Sequence, residues 1–197
     1  MRKLLITGFE PFGGADINPS WEAVRLLPDT LSGFQLHKLR LPVIFGAAAD
    51  TVLAAAQALC PDVILCVGQA GGRSAVTPER IAVNIRDARI PDNAGNLPQG
   101  EFSVEGGAAA YFSTVPVKAM ARAIQDAGLP GTVSNSAGTF VCNDVLYSLM
   151  YHFSNSAVKV GFIHVPFIPE QATNGQPSLS LSQIAEALQA AILSMDE

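Results

Sequence analysis

The stretch Phe45-Gly-Ala-Ala-Ala-Asp-Thr-Val-Leu-Ala-Ala-Ala-Gln-Ala-Leu-Cys-Pro-Asp-Val-Ile-Leu-Cys-Val-Gly68 reads as a helix followed by a short strand. Its first part, Phe45–Leu59, is long enough for an amphipathic helix and stops at Cys60-Pro61. The run Val63–Val67 has no polar alternation, the pattern of a strand covered on both faces. The same alternation runs through the chain. Strand-like segments are Lys3–Thr7, Gln35–Leu41, Val63–Val67, Ile81–Ile85, Gly131–Ser134 and Lys159–Val165. Helix-like segments are Pro19–Leu27, Phe45–Leu59, Val117–Ala127, Phe140–His152 and Leu181–Met195. This rhythm predicts an α/β fold, a largely parallel sheet with helices on both faces. With no repeat or linker dividing it, a single domain over residues 1–197 is expected.

Composition narrows the function. Hydrophobic residues are 49% of the chain and charged residues 15%, which excludes a disordered protein. A net charge of −5 without a Lys/Arg cluster argues against nucleic acid or an anionic membrane surface as partner. No apolar run is long enough to span a bilayer. Met1-Arg-Lys-Leu-Leu-Ile-Thr-Gly8 reads as a core strand, not a secretory signal, so a cytoplasmic location is expected. Cys60, Cys66 and Cys142 form no CxxC pair, and their odd number leaves a free thiol. Cys60 and Cys66 read as small core hydrophobes. Three histidines without an HExxH or His/Cys cluster give no reason to expect a metal, and no cofactor is expected.

In open α/β sheets, chemistry gathers at the carboxyl ends of the strands. Cys142 lies there, where Ser134-Asn-Ser-Ala-Gly-Thr-Phe140 gives way to the helix. Helix N-termini carry partial positive charge, so a lowered thiol pKa and a ready thiolate are expected. His164 closes the apolar strand Lys159–Val165 just before Pro166. A lone strand-end histidine is commonly a packed core residue, but beside a helix-start cysteine it becomes a candidate base. Such a pair needs a third group to orient the imidazole. The candidates are Glu10, Glu79, Asp87 and Asp144, with Glu79 preferred; the alternative is a solvated turn carboxylate paired with Arg80.

Two glycine loops, Gly8-Phe-Glu-Pro-Phe-Gly-Gly14 and Gly68-Gln-Ala-Gly-Gly-Arg73, follow strands. The first also precedes a helix, as phosphate-binding loops do, but it is neither GxGxxG nor GxxxxGKS. The aromatic content of the first suits a small, flat, neutral ligand, though Phe9 and Phe12 could equally be core. A non-hydrolytic nucleotide- or small-ligand-binding protein that uses the two glycine loops, with Cys142 merely packed, is the rival reading. The turn-rich segment Arg86–Gly107 is read either as a lid over the site or as a surface excursion or hairpin.

Taken together, these residues resemble the pyroglutamyl peptidase I (pyrrolidone carboxyl peptidase) family of cysteine peptidases. The resemblance is carried by Gly8–Gly14 with Asn18-Pro-Ser20, Gly68–Gly72, Pro78-Glu-Arg-Ile-Ala-Val-Asn84, Ala88-Arg-Ile-Pro-Asp-Asn93, Ser136-Ala-Gly-Thr-Phe-Val-Cys-Asn143 and His164-Val-Pro-Phe167. It implies removal of N-terminal pyroglutamate from peptides by Cys142 as nucleophile, His164 as base and Glu79 as its orienting partner. It also implies an aromatic pocket at Phe9 and Phe12, a lactam-contacting glutamine at Gln69 and an oxyanion-side arginine at Arg89. The implied fold is a three-layer α/β/α sandwich, and the implied assembly a homotetramer.

Overall fold

In the computed structural model, which describes residues 1–195, the opening apolar run forms β1 (Arg2–Phe9), inside a six-stranded sheet. β3 (Phe34–Leu41) and β4 (Val63–Gln69) flank it in parallel, and β10 (Lys159–Val165) pairs in parallel with β4. Short antiparallel strands finish the edges, β2 (Thr30–Leu31) beside β3 and β5 (Thr77–Pro78) beside β10. The helices are α1 (Pro19–Leu26), α2 (Ala47–Leu59), α3 (Val117–Asp126), α4 (Val141–His152) and α5 (Leu181–Leu193). None among the described residues is long and apolar enough to cross a membrane.

Successive strand residues point to opposite faces, and the core divides accordingly. Leu4, Ile6, Leu65, Val67 and Ile163 pack with Val24 of α1, Met120 of α3 and Leu188 of α5. Leu5, Ile64, Cys66 and Phe162 pack with Val52 of α2 and Leu146 of α4. The result is the expected three-layer sandwich around a mostly parallel sheet. The same parity that buries Cys66 and Phe162 against α4 carries Gly68 and His164 to that face at the carboxyl ends of β4 and β10.

Helix starts follow local chemistry. The Asn18 side chain accepts from the Ser20 amide while Pro19 takes the first helical position of α1. Ser180 and Gln183 form a reciprocal capping box on α5. α4 is buried along most of its length, and its buried polar residues Asn143 and Asp144 are both engaged. Asn143 accepts from the Val83 amide and donates to the carbonyls of Val83 and Ile85. Asp144, with no exposure, accepts from Arg86 Nε at 2.7 Å and from the Gly46 amide at 2.9 Å. These contacts tie α4 to the loops that enclose its N-terminus.

Several expectations are corrected. Gly131–Ser134 is not a continuous core strand: Gly131 and Ser134 make isolated parallel bridges to Val76 and Glu79. Pro78, which supplies no N–H, lies in the facing segment and confines it to the sheet margin. The Ile81–Ile85 run shortens to β6 (Ile81–Val83) and leaves the main sheet to pair antiparallel with β9 (Ala110–Phe112). Within Arg86–Gly107, β7 (Arg86–Asp87) pairs antiparallel with β8 (Gln99–Glu101), so the segment includes a hairpin. Buried Asp92 accepts from Phe45, Ala94 and Asn96 and holds its tip. Cys60 is exposed, not core, because it occupies the left-handed position (φ 52°) that ends α2.

Asp144→Ala would leave Arg86 and the Gly46 amide without their acceptor. Loss of a buried pair typically costs 3–5 kcal/mol; because Arg86 keeps some solvent contact, we expect about 2–3 kcal/mol in urea unfolding. A change within a few tenths of a kcal/mol would show that these bonds do not hold the loops.

Candidate active site

α4 begins at Val141 after an extended Phe140, with no side chain capping it, and places Cys142 in its first turn. The first amides of a helix have no intrahelical acceptor, so they are available to negative charge developing nearby. Gly68 is what lets the sulfur in: a Cβ at this position would lie 2.8 Å from Cys142 Sγ and 2.7 Å from the Phe162 ring. In the sheet register Gly68 is the direct partner of His164. The sulfur therefore rests over the strand residue paired with the imidazole, and both side chains line one cavity of about 220 Å³.

His164 is nearly fully buried, and its Nδ1 lies 2.7 Å from Oε1 of Glu79, which has no exposure. The same oxygen receives Arg73 Nη1 at 2.6 Å. Arg73 also donates to the Thr77 hydroxyl and, through Nη2, to the Ser136 carbonyl at 3.0 Å. Glu79 sits between β5 and β6, its amide bound to the Phe162 carbonyl of β10. It is neither solvated nor paired with Arg80; the sequence alternative fails because the chain turns inward after Pro78. Of the other carboxylates considered, Asp144 pairs with Arg86 and Glu10 accepts from Val43 and Asn93. Asp87 is exposed.

The electrostatics depart from expectation at the cysteine. Burial pushes the Cys142 thiol up to about 12, reinforced by the charges of Glu79 and Cys66. Arg73 and the helix-start amide offset this only in part. Desolvation, which favours the uncharged form, works against the helix terminus at this partly buried cysteine and favours a resting thiol over a thiolate. Burial raises Glu79, but the His164 hydrogen bond and charge, Ser134 and Arg73 together bring it below its ordinary value. Burial lowers His164 below 6.5 against the opposing pull of Glu79, and Arg73 lowers it further. An ionised Glu79 can only accept, so Nδ1 carries the hydrogen and Nε2 keeps a lone pair. Neutral thiol, neutral imidazole and carboxylate are the resting forms.

The cavity walls are largely apolar. Phe9 and Phe12 line it, together with Val43 and Phe140. Gln69 also lines it, and its amide orientation is held from outside. Gln171 Nε2 donates to Gln69 Oε1 and to the Ile17 carbonyl, both at 3.1 Å, while its oxygen accepts from the Ile168 amide. With Gln69 Oε1 thus engaged, its –NH₂ is left to serve the cavity. Arg89 is not brought here: it is exposed, in the hairpin after β7, and absent from the cavity wall. Sequence reading did not single out Arg73, Asn18 or Phe140, which do line the cavity. In the sequence Asn18 entered only with the Asn18-Pro-Ser20 stretch of the resemblance, and Arg73 only as the end of a glycine loop.

Comparison with known proteins follows the same line. The family model described as pyroglutamyl peptidase matches residues 2–197. A pyrrolidone-carboxylate peptidase of Lactobacillus johnsonii is 50% identical, the match covering 99% of this chain and 93% of that protein. One from Escherichia fergusonii is 50% identical over 98% and 92% of the two chains. The crystal structure of pyroglutamyl peptidase I from Bacillus amyloliquefaciens superposes with a TM-score of 0.95 at 45% identity, covering 99% of this chain and 97% of that one. Pyrrolidone carboxyl peptidase from Thermococcus litoralis gives a TM-score of 0.94 at 36% identity, over 99% and 93% of the chains.

The resting thiol can be checked without substrate. Iodoacetamide alkylation of Cys142, followed by peptide mass spectrometry to separate it from exposed Cys60, should keep accelerating past the ordinary thiol value of 9.0. A rate that levels off in the acid or neutral range would mean that a preformed thiolate exists.

Proposed function

The chain belongs to the pyroglutamyl peptidase family, and from that premise we propose that it hydrolyses the bond after an N-terminal pyroglutamyl residue with Cys142, His164 and Glu79 as its catalytic residues. One observation carries the reading: the cysteine sulfur and the carboxylate-anchored imidazole share a small, mostly apolar cavity. Pyroglutamate has no free α-amine, so a site for it needs no carboxylate facing the ligand. It needs a slot for a five-membered lactam and a partner for its amide. Phe9 and Phe12 supply the apolar faces, and the free –NH₂ of Gln69 is suited to donate to the lactam carbonyl. An analogue lacking that carbonyl would strand the donor and bind poorly.

The chemistry runs as a thiol attack assisted by a base. As the Cys142 Sγ–carbon bond forms, the thiol proton passes to His164 Nε2, and the carbonyl oxygen becomes an oxyanion. Uncapped amides at the start of α4, that of Cys142 among them, face this charge; such a donor is typically worth about 3–4 kcal/mol in the transition state. The imidazolium, supported by Glu79 through Nδ1, hands its proton to the leaving nitrogen as the C–N bond breaks. A thioacyl enzyme and a shortened peptide remain. His164 then takes a proton from water, hydroxide adds to the thioester, and the sulfur leaves with a proton returned to it. Arg89, by resemblance, would contact substrate on the oxyanion side.

The whole chain, 1–197, would act as one catalytic domain. Three unpaired cysteines support a reducing cytoplasmic setting. The homotetramer rests on family resemblance alone. Neither a metal nor a cofactor has a part in these steps.

A pyroglutamyl fluorogenic amide tests the reading. Cys142→Ala should fold and be inert, while His164→Ala should lose about 100- to 10,000-fold. Turnover by the alanine variant at position 142, or a loss below about tenfold at 164, would remove that residue from the chemistry. The pH profile is a second test. His164 must be neutral to accept the thiol proton, so kcat/KM is retained above its folded-state pKa and falls as pH drops through it. That acid limb should lie below 6.5, the ordinary histidine value; a limb above it would contradict a buried, neutral base.

A further inference from the structure

The guanidinium of Arg73 meets the catalytic carboxylate at a distance as short as that of the imidazole itself. Glu79 Oε1 accepts Arg73 Nη1 at 2.6 Å and His164 Nδ1 at 2.7 Å, whereas Oε2 is buried with no hydrogen-bond partner among the described residues. Arg73 is in turn fixed on its far side by the Thr77 hydroxyl and the Ser136 carbonyl. Its place is the boundary between the 220 Å³ cavity and an adjoining trough whose other lining residues are all uncharged, among them Ser74, Thr132 and Asn135. The titratable groups facing it are therefore Glu79 from the turn after β5, His164 from β10 and Cys142 from α4.

We propose that Arg73 is a positioning residue of the relay: its permanent charge neutralises Glu79, so that His164 stays an unprotonated base toward the thiol. This inference rests on the peptidase reading above. The physical reason lies in the charge count of the buried site. A carboxylate without exposure requires a positive partner. Two candidates share one oxygen, and only the guanidinium is charged at every working pH. With Arg73 present, the arginine–glutamate pair is neutral as a unit and the imidazole can remain neutral. Without it, the cheapest counter-charge is a proton on His164, and the nitrogen that must accept the thiol proton would already be occupied. The directions of the shifts agree, since Arg73 lowers His164, Glu79 and Cys142 alike.

The experiment compares pH profiles of kcat/KM on a pyroglutamyl fluorogenic amide for the wild type, Arg73→Gln and Arg73→Lys. Arg73→Gln should move the acid limb upward by about one pH unit, with the plateau at alkaline pH reduced far less than activity near neutrality. Arg73→Lys keeps the charge but cannot hold Glu79 and Ser136 at once; it should retain the wild-type limb at a lower kcat. Superimposable limbs for Arg73→Gln and wild type would overturn the proposal, because a merely structural role lowers the curve without displacing it. Should Arg73→Gln fail to fold, the uncharged Arg73→Met takes its place under the same criterion: an upward-displaced limb supports the proposal, and a wild-type limb overturns it. If the wild type itself shows no hydrolysis, it is the peptidase reading that fails, a result distinct from either.

Discussion

The site is organised around a buried carboxylate that has to remain charged. Glu79 has no exposure, yet its oxygen holds an imidazole at 2.7 Å and a guanidinium at 2.6 Å. Removing a carboxylate from water costs several kcal/mol unless partners replace the lost hydration. One partner, Arg73, comes from the loop after β4, six residues before Glu79, and the other, His164, from the end of β10, 85 residues after it. The sheet order β4–β10–β5 makes them neighbours. Any slip of one residue in β10 would send His164 to the opposite layer, and the carboxylate would lose the imidazole that turns an ion pair into a relay.

A second constraint acts on the sulfur. Two effects compete at Cys142: an uncapped helix terminus that favours the anion, and burial that favours the thiol. Burial has the larger effect, and the thiol is pushed up to about 12. The consequence is a nucleophile that is created at the moment of attack. Its proton must have somewhere to go, and the unprotonated nitrogen of His164 is the nearby acceptor. The glycine at position 68 is part of the same arrangement, since any side chain there would occupy the space between the sulfur and the strand beneath it.

Much of this was legible in the sequence because it follows from short-range rules. Uninterrupted apolar runs and amphipathic helices identify a parallel α/β sheet, and a cysteine after small residues together with a strand-end histidine identifies its reactive edge. What escaped depends on tertiary surroundings. Gly131–Ser134 has the composition of a strand, but only the structure reveals that it bridges Val76–Glu79 at the margin. The helix terminus at Cys142 can be read from spacing, while the burial that overrides it cannot. Arg73 resembles a loop residue until the fold brings it against Glu79. Cys60 reads as apolar until the end of α2 forces it into a left-handed, exposed position. Arg89 came from resemblance alone, and it stands outside the cavity.

The most direct measurement is acid-quenched mass spectrometry of the enzyme mixed with an activated pyroglutamyl ester, followed by peptide mapping. The account predicts a single pyroglutamyl adduct on Cys142, formed during turnover and released on standing. Turnover with no adduct, or with the acyl group on Cys60 or Cys66, would contradict it.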